Sequence, residues 1–374
     1  MGKRILEAIG QSPDGKISYS DFIDLALYMP VTGYYMRNRE KIGKQGDYYT
    51  TSNLADAFGR TVARWLIHAV NECSLPPVFC EIGGGTGRLA HSILSYIRQN
   101  EPAMYGKLQY FIIDVSPYQR KKQKEALSDF QQVFILESIE NLPVIEGIMF
   151  SNELFDAMPV HVIEKKQGLL YEAFICMKEG KLAEILEPVV NPDILSFLEV
   201  QKISLSEGQR LEVPLAMVSY LKSIAGHLQK GFLVTIDYGY TNEEWKEPLH
   251  KKGSLRGYQN HQMVENVLVN PGDVDLTSHI HFDALAWFGS EFGLSNEQLL
   301  GQQEFLLKAG ILKELLDHQD ANPFSETAKR NRAIRNLVLP GGISSYFRVL
   351  LQSKGITESF ALFPVLTKSP IAPF

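Results

Sequence analysis

Cysteine is scarce in this chain. The three present, Cys73, Cys80 and Cys176, stand far apart with no Cys-x-x-Cys spacing. That excludes a disulfide framework and a zinc site built on thiolates. Positive charge is short as well: 37 Lys and Arg stand against 43 Asp and Glu, a formal net charge of -6. Such a balance lacks the broad basic footprint of a general nucleic-acid binder. No apolar run approaches the roughly 20 residues that span a bilayer. The opening residues, MGKRILEAIGQSPDGKIS, have neither the apolar core of a secretory signal nor the Arg and Ser richness of a transit peptide. They also lack the Ser or Thr that N-myristoylation favours. A soluble, cytoplasmic protein is expected, without a membrane partner. No internal repeat or low-complexity tract is visible.

What is present is ordinary globular composition, 45% hydrophobic and 21% charged over 374 residues, enough for one large or two medium domains. The segment SDFIDLALYMPVTGYYM reads as a short helix with Ser20 as N-cap, ended by Pro30 and Gly33. Leu54, Phe58, Val62, Trp65, Leu66 and Ala69 recur at helical spacing in the next one. From there strands and helices alternate. VFCEI, LQYFIIDVS, QVFILES and EGIMFSNELFD read as strands, and RLAHSILSYIRQN and PYQRKKQKEALSD as helices. Alternation of this kind predicts a doubly wound, mainly parallel α/β sheet with right-handed crossovers. About residues 163–205 the pattern turns to antiparallel hairpins, with turns near Gln167-Gly168 and Glu179-Gly180. A second insertion, about 241–280, is polar and weakly periodic. The late apolar runs QEFLLKAGIL and SYFRVLLQS are candidates for final antiparallel strands.

The segment CEIGGGTGRLA sets Gly83, Gly84, Gly85 and Gly87 between a strand and a helix. That arrangement aims backbone N–H groups at a ligand on the carboxyl edge of a sheet. Gly85-Thr86-Gly87-Arg88-Leu89-Ala90 fits the dinucleotide pattern G-x-G-x-x-G/A. Glu81-Ile82-Gly83-Gly84-Gly85-Thr86-Gly87 fits the S-adenosylmethionine pattern throughout, an acid followed by G-x-G-x-G. The acid favours the second reading. It suits an ammonium group and would repel a pyrophosphate. Asp114 closes the second strand, where a carboxylate can accept both ribose hydroxyls of either cofactor. Glu137 and Ser138 follow the third strand, where an adenine is commonly bracketed; an ordinary polar loop is the alternative. Asn152 and Glu153 close the fourth strand, at the edge nearest a transferred methyl group. A glutamate there can clamp a guanidinium through paired charge-assisted hydrogen bonds.

Six stretches, taken together and in order, resemble one family. They are VTGYYM, GDYYTTSNLADAFGR, EIGGGTGRL, SNELFDAMPVHV, VTIDYGY and RGYQNHQMVENVLVNPGDVDLTSHIHF. The family is that of the MidA-like class I methyltransferases, which includes a mitochondrial arginine methyltransferase that assists complex I assembly. The resemblance implies a seven-stranded core, S-adenosyl-L-methionine as cofactor and a protein side chain, arginine-type, as acceptor. The sequence departs from the family's usual pattern at Asn53 and Gly84. Both changes loosen a loop without removing a contact.

Residues 1–50 are then an N-terminal helical extension and residues 51–374 the methyltransferase domain with its two insertions. The loop GDYYTTS, with Asp47 and Thr50, is a candidate lid over the cofactor. The segment PGDVDLTSHIHFD gathers Asp275, His279 and His281 as further catalytic candidates. Asp275 would help Glu153 orient the acceptor, and either histidine would accept the released proton. A metal held by these histidines and a capping network are the alternatives. Two other functions stay open: a non-catalytic assembly module on the same fold, and an NAD-binding oxidoreductase. The oligomeric state is also open, a homodimer included.

Overall fold

The computed structural model of the chain describes residues 2–39, 56–259, 262–264, 266–316, 322, 325–339, 341 and 343–365. The chain opens with helices Gly2–Gln11 and Tyr19–Tyr28 around a short strand, β1 (Lys16–Ser18). Ser18 caps the second helix. Its Oγ accepts the Asp21 N–H at 3.0 Å, and the Asp21 carboxylate accepts the Ser18 N–H at 3.1 Å. This reciprocal box sets the helix start ahead of the Ser20 expected from sequence. Alternation follows: helix Asp56–Glu72, β2 (Val78–Ile82), helix Arg88–Asn100, β3 (Gln109–Ile113), helix Pro117–Ala126, β4 (Val133–Leu136) and β5 (Ile145–Asn152). Next come β6 (His161–Lys166), β7 (Leu169–Lys178), β8 (Lys181–Pro188) and β9 (Arg210–Val213). The remaining strands are β10 (Leu228–Tyr240), β11 (Arg256–Gln259), β12 (Gln262–Val264), β13 (Asp275–Thr277), β14 (Ile280–His281), β15 (Ser295–Gly301) and β16 (Phe347–Lys354).

The main sheet has the order β15-β16-β10-β5-β2-β3-β4, with β14 added beside β10. From β10 to β4 all neighbours are parallel, and β16 runs antiparallel between β10 and β15. The continuous apolar runs of β2, β3 and β5 follow from burial on both faces. Helices Asp56–Glu72 and Arg88–Asn100 cover one face around Phe58, Trp65, Phe79 and Ile93. Helices Pro192–Val200, Leu215–His227 and Phe282–Glu291 cover the other around Phe197, Leu221 and Leu285. Of the two late apolar runs, SYFRVLLQS supplies β16, but QEFLLKAGIL forms helix Gln302–Lys308. The edge strand β15 comes from the more polar SNEQLLG. An edge strand exposed along much of its length needs no apolar signature.

The hairpin insertion forms a second sheet, β1-β7-β6-β9, with β8 paired to β7. Its two tight turns carry positive φ at both central residues, Gln167 and Gly168, then Glu179 and Gly180. That is the twist-matched geometry of two-residue hairpins. Because β1 pairs with β7, the N-terminal stretch is built into this sheet rather than appended to it. Ile5, Phe22, Leu27 and Tyr34 share a core with Val160, Ile175 and Leu276. The second insertion, polar and weakly periodic in sequence, contributes a small sheet, β12-β11-β13. Among the described residues no helix is long and apolar enough to cross a membrane.

Candidate active site

The order of the main sheet reverses at β2. The chain runs outward through β3 and β4, then returns to place β5 on the other side of β2. At such a reversal the connections diverge and leave a crevice outside the carboxyl ends of the strands. An open cleft lies there. Glu81, Gly83, Gly85 and Thr86 line it from β2 and its turn, Asp114 from β3, and Asn152 and Glu153 from β5.

The turn after β2 lies hard against β3. A Cβ on Gly84 would come within 2.4 Å of the Ile112 Cγ2. Gly85 has a φ of 52° and donates its N–H to the Asp114 carboxylate at 3.1 Å, while its carbonyl accepts from Gln123 Nε2 at 2.8 Å. Gly87 is placed differently. It does not line the cleft. It has a φ of 81° at the start of helix Arg88–Asn100, and a Cβ there would stand 3.3 Å from the Gln123 backbone. Its role is close packing of the turn on the neighbouring helix.

Two carboxyl groups sit at the base of the cleft. Glu81 is buried beside Tyr110, whose hydroxyl donates to it at 2.8 Å. Burial raises its pKa to about 8, against the lowering effect of the tyrosine bond. Asp114 is raised to about 6 by burial, opposed by its own hydrogen bonds. It accepts from the Ser116 N–H at 2.9 Å and from Gly85 and Gln123 at 3.1 Å each. A carboxylate has about four acceptor positions. The two-hydroxyl pairing expected for Asp114 therefore requires one of these donors to yield.

Glu153 stands just past β5 with a left-handed φ of 53°. Such a conformation costs a non-glycine residue roughly 1–2 kcal/mol and persists only when its surroundings enforce it. Here they do. Its N–H is tied to the Ile236 carbonyl at 2.9 Å. The buried Asp237 carboxylate accepts the N–H groups of Leu154, Phe155 and Asp156 at 3.3, 3.0 and 3.4 Å. Asn152 Nδ2 donates to the Glu153 carboxylate at 3.1 Å. The turn thus presents Glu153 to the cleft on a fixed backbone.

Other expected site residues lie elsewhere. His281 is fully buried, bonds the Glu212 carbonyl through Nε2 at 2.8 Å and stacks on Trp245. His279 stacks on Tyr240 with ring centroids 4.6 Å apart. Burial holds both near pKa 4, and neither lines the cleft, so neither suits the proton-accepting role expected for it. Asp275 is buried, does not line the cleft, and accepts from the hydroxyl of Tyr35, which does, at 2.9 Å. Glu137 is turned outward toward Arg120, and Ser138 bonds Asn141; neither lines the cleft. Asp47 and Thr50 lie outside the described residues. Among the described residues no group of three or more His, Cys, Asp or Glu is placed to hold a metal. The cleft also has walls not foreseen from single residues: Tyr28 and Tyr35 from the N-terminal stretch, Arg88, and Tyr220. Of these, Tyr35 and Arg88 had a signal, within the stretches VTGYYM and EIGGGTGRL.

Residues 61–299 match the profile of a family described as S-adenosyl-L-methionine-dependent methyltransferases. The chain belongs to this family. It is similar to the mitochondrial protein arginine methyltransferase NDUFAF7 of Danio rerio, 26% identical over 96% of this chain and 85% of that one. The Drosophila melanogaster homologue is 25% identical over 72% of this chain and 65% of its own length. A crystal structure from Burkholderia thailandensis, described as a methyl transferase bound to S-adenosyl-homocysteine, superposes with a TM-score of 0.84. It is 27% identical, over 96% of this chain and 94% of that one. The methyltransferase uses S-adenosylmethionine, and the cleft's residues fit that cofactor. The buried Glu81 carboxyl group lines the cleft as a candidate partner for an ammonium group, and the glycines of the turn leave backbone open to close approach. The same relatives overturn the expectation of a cytoplasmic protein, since they are named mitochondrial. That expectation rested on an unseen leader, and an absence carries no address.

Proposed function

We propose that this methyltransferase acts on a protein and that its acceptor is an arginine side chain. One observation carries the reading. The described ionisable side chains lining the cleft, tyrosines apart, are three carboxyl groups, Asp114, Glu153 and Glu81, the last ionising as a cation binds beside it, against the single guanidinium of Arg88. Such a cleft favours cationic ligands, and the Danio rerio and Drosophila melanogaster relatives are named as protein arginine methyltransferases.

The bound cofactor supplies an electrophilic methyl group. Glu81 would give up its proton and pair with the cofactor's ammonium group, and Asp114 would pair with a ribose hydroxyl. Arg88, at the first turn of its helix, is the cleft's partner for a carboxylate. Glu153 would accept paired hydrogen bonds from the incoming guanidinium, hold one of its nitrogens toward the methyl group and take up the proton that this nitrogen releases as it is methylated. The fixed turn under Glu153 means that no reorganisation is needed at the moment of transfer. Tyr28 and Tyr35 narrow the opening and help to exclude water.

The test is to incubate the protein with methyl-labelled S-adenosylmethionine and a mitochondrial lysate, then hydrolyse the labelled protein and separate its amino acids. Label in methylarginine is the expected result. Label confined to another side chain or to small molecules would overturn the proposal.

A further inference from the structure

The N-terminal stretch places two tyrosines over the point where β3, β2 and β5 end. Tyr28 and Tyr35 are stacked, with ring centroids 5.6 Å apart and planes at 23°. Tyr34 packs edge-on against Tyr35. Both hydroxyl donors are already used, Tyr28 on the Ala157 carbonyl at 2.9 Å and Tyr35 on Asp275 at 2.9 Å. Burial pushes the Tyr28 hydroxyl well above its ordinary pKa, so it stays neutral and in place. The Tyr35 carbonyl accepts from Ser116 Oγ at 2.6 Å. The pair is therefore pinned on one side to the residues after β3 and on the other to the turn after β5. It spans the glycine turn between them. Both tyrosines are half-buried and line the cleft, so what they offer a ligand is ring surface rather than a hydroxyl donor.

A ring face attracts a desolvated cation, and the carboxyl groups Glu81, Asp114 and Glu153 line the same cleft. We infer that Tyr28 and Tyr35 form an aromatic wall that holds a cation at the point of methyl transfer. Two cations meet there, the sulfonium of the cofactor and the guanidinium of the acceptor. The guanidinium arm rests on the arginine reading above, and the sulfonium arm does not.

The two cofactor forms separate charge from shape. S-adenosylmethionine carries the sulfonium, and S-adenosylhomocysteine is the neutral thioether. Calorimetry on the full chain compares both ligands with wild type, Tyr28→Leu, Tyr35→Leu and the matching Phe variants. The SAH-loaded protein is titrated in parallel with a Gly-Arg-Gly peptide. Loss of a desolvated ring contact should weaken a cationic ligand about tenfold in the Leu variants. S-adenosylhomocysteine should stay within about twofold, and the Phe variants should keep most of the affinity. A loss on S-adenosylmethionine alone assigns the wall to the sulfonium; a loss on the peptide alone assigns it to the acceptor. Equal losses for S-adenosylmethionine and S-adenosylhomocysteine, or no loss on either cation, would overturn the inference. A wild-type protein that binds S-adenosylmethionine but not the peptide counts against the arginine acceptor, and the cofactor ratio still decides the wall. Thermal melting checks each variant. Tyr28→Met and Tyr35→Met give the same comparison should a Leu variant fail to fold.

Discussion

At the scale of single residues, environment sets what each carboxyl group does. Glu81 is kept protonated up to about pH 8 by burial. A raised carboxyl pKa contributes stability that is full below the ordinary value and lost as pH rises through the folded value. The protein should therefore melt at lower temperature at pH 8.5 than at pH 5.5. Glu81→Gln should flatten that slope and melt above wild type at pH 8.5. Parallel melting curves for the two proteins across this range would remove burial of Glu81 as the cause. Asp114 combines a ligand position with a tether to Gly85. Asp114→Ala should weaken S-adenosylhomocysteine binding by roughly 1.5–3 kcal/mol, the range for hydrogen bonds to a charged group. An unchanged dissociation constant by calorimetry would place the ribose elsewhere. Glu153→Gln keeps the shape of its side chain and loses the charge. Turnover should fall on the order of 100-fold while cofactor affinity stays within a few-fold, the pattern for one preorganised electrostatic partner. A combined loss of melting temperature and cofactor affinity would mark Glu153 as structural.

At the scale of elements, local chemistry decides the starts and stops. Pro117 opens its helix at the first position behind the Ser116 cap, as its fixed φ allows. The β7–β8 turn is legible from Glu179-Gly180, yet Glu179 has a φ of 52°, a conformation asparagine tolerates better. Glu179→Asn should stabilise the protein by roughly 0.5–1 kcal/mol, part of the left-handed penalty for an ordinary side chain. Denaturant unfolding measures it, and a neutral or destabilising result would show that the carboxylate contributes something the backbone does not. His279 and His281 mislead from sequence because β14 pairs with β10 at Gly239 and Tyr240. That register packs both rings among Tyr240, Trp245 and Phe197, away from the cleft.

At the scale of the molecule, the inserted sheet and the N-terminal stretch share one core with β13, and the N-terminal stretch lines the cleft through Tyr28 and Tyr35. Phe22, fully buried there, lies far in sequence from every candidate catalytic residue. Phe22→Ala should cost about 3–5 kcal/mol, the usual range for a buried phenylalanine. The variant should also weaken cofactor binding, because the helix it anchors ends at Tyr28. A destabilised protein with unchanged cofactor affinity would show that the wall does not depend on this core.

The sequence by itself determined the elements whose signals are local. These are the glycine turn after an apolar strand, the acids that close β2, β3 and β5, and the hairpin turns. They fix the sheet class and favour S-adenosylmethionine over a dinucleotide, because backbone geometry and short-range patterning carry that much. Tertiary structure alone decided the rest. It brought Tyr28 and Tyr35 across the sheet onto the cleft. It locked Glu153 in a left-handed turn through Asp237, distant in the chain. It withdrew both histidines into an apolar stack. Contacts between residues far apart in sequence depend on how sheets and helices pack, and no short window of residues encodes that packing.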